Sequence, residues 1–312
     1  MKDNIPKGEE KMYDIMIIGA GPAGISASLY TQRANLKTGI IYSDESALEK
    51  TKKIDNYYGF ENGISGKELY ENGIKQAENL GVSIKKEEVT KIEIIENGFL
   101  IMTQKDSYKT KVVILATGNK KNKPKIKGIE KFEGRGVSYC AVCDGFFYRN
   151  RSIGVIGSGN YAITETNELI NIANDITILT NGEQAPEFRA DNVTIDTKEI
   201  EEIHGDKKVE EIEFKDHTKL KVDGIFVAQG VAGSTEFAKK LGAFTKQDKI
   251  VVNEKMETNI KGLYACGDCT GGLLQVCKAV YEGATAGIQA IQYVRWHWFQ
   301  VWMPKNWHWF QV

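Results

Sequence analysis

No tryptophan occurs before position 296, cysteine is scarce at 5 in 312 residues, and charges of opposite sign nearly cancel to a net -1. Each scarcity excludes something. A near-zero net charge gives no support to nucleic-acid or bulk membrane binding, both of which need concentrated positive charge. So few cysteines, four of them in two CxxC pairs, are too clustered for a secreted disulfide scaffold; in a reducing compartment such pairs are catalytic or metal-binding. The start, MKDNIPKGEE, lacks the apolar core of a secretory signal, and nothing before the C-terminal tail reads as a membrane span, so the expected compartment is the cytosol. At 41% hydrophobic and 27% charged, the chain reads as soluble and long enough for two domains of average size.

All 5 tryptophans fall between Trp296 and Trp309, where WHWFQV occurs twice, at 296–301 and 307–312. So abrupt a compositional break reads as appended sequence rather than as a membrane-surface or partner-binding segment, and the tail 296–312 is set apart from the fold.

The first organised stretch is an apolar run at 13–18, a buried parallel strand, followed by Gly19, Ala20, Gly21, Pro22, Ala23 and Gly24 and a helical pattern to Ala34. Strand, glycine turn and helix in that order suit a dinucleotide. Gly19 makes the tight turn, Gly21 lets the backbone approach a pyrophosphate, and Gly24 lets the helix pack on the strand. The next strand, 38–42, ends beside Asp44 and Glu45, either of which stands at the spacing of a ribose-binding carboxylate. A third strand, 112–115, ends in Ala116, Thr117 and Gly118. A fourth piece, 262–265, leads into Cys266, Gly267 and Asp268 and a helix over 274–294, with Asp268 either bonding a polyol or capping a helix.

More than a hundred residues separate the third and fourth pieces, so one sheet is interrupted by an inserted domain. The insertion begins after a lysine run, Lys120, Lys121, Lys123, Lys125 and Lys127, which is a solvated connection or a docking patch for an acidic partner. It then carries Cys140, Cys143 and Asp144, two thiols one turn apart beside a carboxylate: a reversible electron store. A strand at 152–156, the turn Gly157, Ser158, Gly159, Asn160, a helix to about 172 and a strand at 176–180 form a second dinucleotide-type unit. NADPH needs Arg or Lys near the end of that second strand. From 152 through 188 there is no Lys, Arg or His, whereas Glu165, Glu168, Asp175, Glu183 and Glu187 are present and the strand end reads Leu179, Thr180, Asn181, Gly182. A 2′-phosphate meets repulsion there.

The expected fold is α/β, with two Rossmann-like domains of three-layer ββα build, the second inserted into the first: 1–119 and 244–295 outside, 120–243 inserted. The segment GRGVSYCAVCDGFFYRN at 134–150, with GAGPAG, the Ala-Thr-Gly after the third strand and Gly267-Asp268, resembles the bacterial low-molecular-weight thioredoxin reductases over 12–294. The resemblance implies FAD in the outer domain, a redox-active disulfide at Cys140 and Cys143, thioredoxin as substrate, a homodimer, and an inserted domain that rotates. It also implies that Cys143 faces the flavin, that Cys140 is the exposed attacking thiol, and that Asn56 and Gln275 lie near the flavin; Asp144, beside the second thiol, is either the acid-base group or a cap for the next turn. Ordinary members have a histidine and two arginines where this chain has Thr180, Asn181 and Gly182, and an acid and a serine at Asn160 and Tyr161. Those losses resemble the ferredoxin-dependent flavin thioredoxin reductases, so reduced ferredoxin is the expected donor, with NAD(P)H the alternative. A metal-binding redox sensor built on both CxxC pairs, with Cys266, Cys269 and Cys277, is disfavoured by the long spacing between pairs, so no metal site is expected.

Overall fold

The computed structural model describes residues 11–43, 46–118, 124–230 and 232–302. Asp44, Glu45, Lys120, Lys121 and Lys123 therefore lie outside the described residues, as does the end of the Trp-rich tail. The chain divides into two compact units, Met1–Asn119 with Leu241–Val312, and Lys120–Lys240.

The outer unit opens with β1 (Lys11–Ile18), α1 (Pro22–Arg33) and β2 (Thr38–Tyr42). The last four residues of β1 are all buried, which is why they form an unbroken apolar run rather than an alternating one. Pro22 sits at the start of α1, where its missing N–H has no helical partner to lose. There follow α2 (Gly66–Asn79), β3 (Ser83–Lys86), β4 (Val89–Ile95), β5 (Gly98–Thr103) and β6 (Ser107–Leu115). The sheet runs β3-β2-β1-β6-β5-β4, with β1 parallel to β2 and β6, and β4 and β5 antiparallel to their neighbours.

In the inserted unit come β7 (Val137–Ser138), α3 (Ala141–Asp144), β8 (Ser152–Ile156), α4 (Asn160–Leu169), β9 (Asp175–Leu179) and β10 (Val193–Asp196). An antiparallel trio follows, β11 (Ile200–His204), β12 (Glu211–Phe214) and β13 (Lys219–Lys221), then β14 (Gly224–Val227) and α5 (Ser234–Lys240). The parallel sheet β10-β9-β8-β14-β7 packs against the trio through Ile156, Leu179, Ile225, Ile203, Ile212 and Phe214, all nearly inaccessible. That is the three-layer arrangement.

Back in the outer unit, a small hairpin of β15 (Thr245–Lys246) and β16 (Lys249–Ile250) precedes β17 (Leu263–Ala265) and α6 (Val276–Trp302). β17 pairs in parallel with residues 113–115 of β6, along the edge whose earlier part, 107–110, is taken by β5. A Cβ on Gly283 would lie 2.1 Å from Ala23 O, so only glycine lets α6 meet α1 this closely. Two helix ends differ from the sequence expectation. α4 stops at Leu169, where the amides of Ile172 and Ala173 both turn back to the Leu169 carbonyl. α6 continues past 294 to Trp302, because the Trp-rich run contains no breaker until Pro304. Among the described residues no helix is long and apolar enough to cross a membrane.

Candidate active site

The register of the outer sheet brings Ile18 opposite Leu115 and Leu115 opposite Ala265, so the turns after β1, β6 and β17 gather along one carboxyl edge. That is where open α/β sheets bind ligands. At Gly19 the backbone has φ +114, and a Cβ there would sit 2.4 Å from Ala116 O; at Gly24 it would sit 2.0 Å from Gly19 O. Gly21 differs: nothing comes nearer to its Cβ position than Ser46 Oγ at 3.9 Å, which leaves open space over the turn. Gly21 is the N-cap of α1, no side chain caps that helix and no acid lies in its first turn, so its leading N–H groups and positive dipole end suit an anion.

Asp268 opens a short 3₁₀ turn whose cap position is Gly267 at φ 83, and no side chain caps it. The capping role considered for Asp268 is thus not the one it has. Asn56 Nδ2 donates to Gln275 Oε1 at 3.1 Å, which brings together two of the expected site residues.

In the inserted unit the edge strand β7 ends two residues before Cys140, and Cys140 and Cys143 form a disulfide with Cα atoms 5.3 Å apart. Ser138 organises it. Its hydroxyl donates to Asp144 Oδ2 at 2.6 Å and accepts the Cys140 N–H at 3.1 Å. Asp144 makes no side-chain cap to the following turn, so its carboxylate is held beside the disulfide instead. Cys140 Sγ accepts the Cys143 N–H at 3.2 Å as the N-cap of α3. The Ala141 N–H donates to Glu165 Oε2 at 2.7 Å, and Glu165 pairs with Lys240.

The exposed thiol expected at Cys140 is not what this oxidised state presents. Cys140, the N-cap of α3, is 3% exposed, and Cys143 within that helix is the exposed member. Val142, Phe146 and Phe147 are also exposed around it.

The second glycine turn has the close approach of a dinucleotide site: a Cβ on Gly157 would lie 2.3 Å from Ala228 O. Its strand end is occupied from within. Ser158 Oγ bonds the Glu183 carboxylate, Thr180 Oγ1 donates to Glu183 O at 2.7 Å, and Asn181 Oδ1 accepts the Ile200 N–H at 2.8 Å. In the lysine run, Lys127 is ion-paired to Glu201 at 2.6 Å and Lys125 is exposed.

The sequence profile of the pyridine nucleotide-disulphide oxidoreductases matches residues 13–283. Thioredoxin reductase of Aquifex aeolicus is 36% identical, over 89% of this chain and 90% of its own. The atypical thioredoxin reductase TRi of Desulfovibrio vulgaris Hildenborough is 35% identical and superposes with TM-score 0.81 over 91% of this chain and 98% of its own. A ferredoxin-flavin thioredoxin reductase of Clostridium acetobutylicum is 36% identical, with TM-score 0.64 over 92% and 99%. The chain belongs to the low-molecular-weight thioredoxin reductases.

The cofactor that goes with these thioredoxin reductases is FAD, and the outer unit fits it: the side-chain-free turn at Gly19–Gly24, the uncapped end of α1 and the open space over Gly21 make a cradle for a pyrophosphate. Two residues of that unit escaped the sequence reading. Glu282 Oε2 accepts the Gly267 N–H at 2.8 Å and the Thr270 hydroxyl at 2.9 Å, while Lys278 Nζ reaches Gly267 O, Thr270 Oγ1 and Gly271 O. The only sequence signal was a Lys and a Glu four apart on a helix, which is usually a solvated pair.

Cys266 and Cys269 are buried, and Cys269 Sγ donates to Leu115 O and Cys266 O at 3.6 and 3.3 Å. Burial pushes the Cys266 thiol well up, which makes it inert. Among the described residues no cluster of three or more His, Cys, Asp or Glu could hold a metal.

Proposed function

We propose that the enzyme reduces the disulfide of thioredoxin and takes its electrons from reduced ferredoxin rather than from NADPH. The observation that carries the donor choice is the Ser158–Glu183 bond: a carboxylate is tied to the very turn that would cradle a coenzyme phosphate. With no Lys, Arg or His between 152 and 188 to offset it, a dianionic 2′-phosphate would lose its hydration and gain repulsion. The likeness to the ferredoxin-flavin protein of C. acetobutylicum supports the same choice.

FAD is held by Gly19, Gly21, Pro22, Ala23 and Gly24 at its pyrophosphate, by Asp44 or Glu45 at a ribose, and by Asn56, Ala116, Thr117, Gly118, Gly267, Asp268 and Gln275. Bound there, it would supply the chemistry that links a one-electron donor to a two-electron disulfide. The chain's own residues do the rest. Once the Cys140–Cys143 bond is reduced, the Cys143 N–H stabilises negative charge on Cys140 Sγ. Cys140 attacks one thioredoxin sulfur and the other leaves as a thiolate; Cys143 then attacks Cys140, releasing dithiol thioredoxin and restoring the disulfide. Asp144, steadied by Ser138, supplies the proton to the departing sulfur. Because Cys140 is buried in the oxidised state, attack requires that it first be uncovered. Exposed Val142, Phe146 and Phe147 offer thioredoxin an apolar contact beside the sulfurs, and exposed Lys125 offers acidic ferredoxin a charge. The enzyme works as a cytosolic homodimer.

The deciding experiment adds NADPH, NADH or reduced ferredoxin anaerobically to the FAD-loaded enzyme and follows flavin absorbance and thioredoxin thiols. Ferredoxin should bleach the flavin and generate thiols. Rapid turnover with either pyridine nucleotide, and none with ferredoxin, would end the donor assignment.

A further inference from the structure

Glu165 is 1% exposed, a depth at which carboxylates are rare unless paired. It stands in α4, yet its Oε2 receives the N–H of Ala141, the residue next to Cys140, at 2.7 Å. Its other oxygen is ion-paired with Lys240 of α5, whose side chain is 11% exposed and whose ammonium also lies 5.4 Å from the centre of the Tyr161 ring. A buried ion pair is weak evidence of stability, since an apolar pair of similar volume often does as well. The helix amide could equally have been met by a neutral oxygen. A carboxylate in that place sets negative charge one peptide from the sulfur that must become a thiolate, and Lys240 cancels it.

We propose that the Glu165–Lys240 pair positions and charge-balances Cys140: Glu165 pins the first turn of α3 so that Cys140 Sγ keeps the Cys143 N–H, and Lys240 neutralises the carboxylate that would otherwise oppose the thiolate. The elements packed against α3 bring further titratable groups, namely Tyr161 and Glu168 on α4, Glu236 and Lys239 on α5, and Tyr148 in the turn after α3, besides Asp144 on α3 itself. Asp144 is bonded to Ser138 and Glu236 accepts the Gly233 N–H at 3.0 Å, whereas Glu165 is bonded directly to the cysteine helix. Glu165 and Lys240 are positioning residues. The inference rests on Cys140–Cys143 being the working disulfide and on neither the donor nor the partner.

The test is the pH dependence of iodoacetamide alkylation of Cys140 in the FAD-loaded C143S enzyme, read by mass spectrometry of the Cys140 peptide. K240M should raise the alkylation midpoint by about one pH unit, roughly tenfold slower reaction on the acid side, and E165Q should lower it by a similar amount. K240R should titrate like the parent. If K240M and E165Q both titrate like the parent, whatever their melting temperatures, the pair is merely structural and the proposal fails. Should K240M not fold, E165Q decides alone, since its amide still accepts the Ala141 N–H; an unmoved midpoint there overturns the proposal. No thioredoxin or electron donor enters the assay, so a failure of the functional reading would leave its result untouched.

Discussion

Lys278 Nζ lies 2.9 Å from Glu282 Oε2, and both side chains are largely buried on α6 against the Gly267–Asp268 turn. Lys278→Met would leave that carboxylate without its cation and remove one donor each from Gly267 O, Thr270 Oγ1 and Gly271 O. Loss of one partner of a buried pair costs about 3 kcal/mol, so urea denaturation should shift by that order and the variant should release FAD faster on dilution. Unchanged FAD retention would mean the network does not support the cofactor turn.

At the second glycine turn a single residue reverses the local charge. Glu183→Arg replaces the carboxylate bonded to Ser158 with a cation suited to phosphate. Bleaching by NADPH should rise by about tenfold or more, the size expected when a repulsive contact becomes an attractive one. Stopped-flow absorbance reads it, and no rise would show that Glu183 is not what keeps NADPH out.

The two sulfurs should separate in trapping experiments. In C143S the resolving thiol is missing, so Cys140 should hold thioredoxin in a stable mixed disulfide visible on non-reducing gels. C140S should trap none and should abolish thioredoxin reduction while the flavin still reduces. Trapping by C140S instead would invert the roles.

Asp144→Asn keeps the Ser138 contact but removes the group able to hold the proton. Thioredoxin reduction should slow by about 100-fold, the usual contribution of a general acid or base, with the rate of flavin reduction unaltered. Ser138→Ala should have a smaller effect in the same direction.

Buried thiol and phenol groups set the alkaline limit. Burial raises Cys266 well above its ordinary 9.0 and Tyr161 well above 10.0. The folded state therefore keeps protons that the unfolded chain gives up, so the stability these groups contribute is complete below about pH 9 and is lost as pH rises beyond it. Denaturation midpoints should be insensitive to these groups at neutral pH and fall above pH 9; in native enzyme at pH 8, Cys277, which is exposed, should alkylate and buried Cys266 should not.

The sequence by itself determined the parts that depend on neighbours in the chain. Strands 38–42 and 152–156 are found where the apolar runs lie, and both glycine turns follow their strands, because a buried strand and a tight turn are each specified by consecutive residues. The missing cations after β9 and the paired thiols were legible in the same way. Only the tertiary structure decided which polar groups meet. Ser158 and Glu183 are 25 positions apart, Glu165 and Lys240 are 75 apart, and Asn56 and Gln275 are 219 apart. Nothing in such spacings foretells contact. These partners are brought together by the packing of elements far apart in the chain, and for Glu165 and Lys240 the burial makes an unpaired charge too costly to leave without a mate. The same packing decided that Cys140 is covered while Cys143 is exposed, a difference that three residues of sequence cannot express.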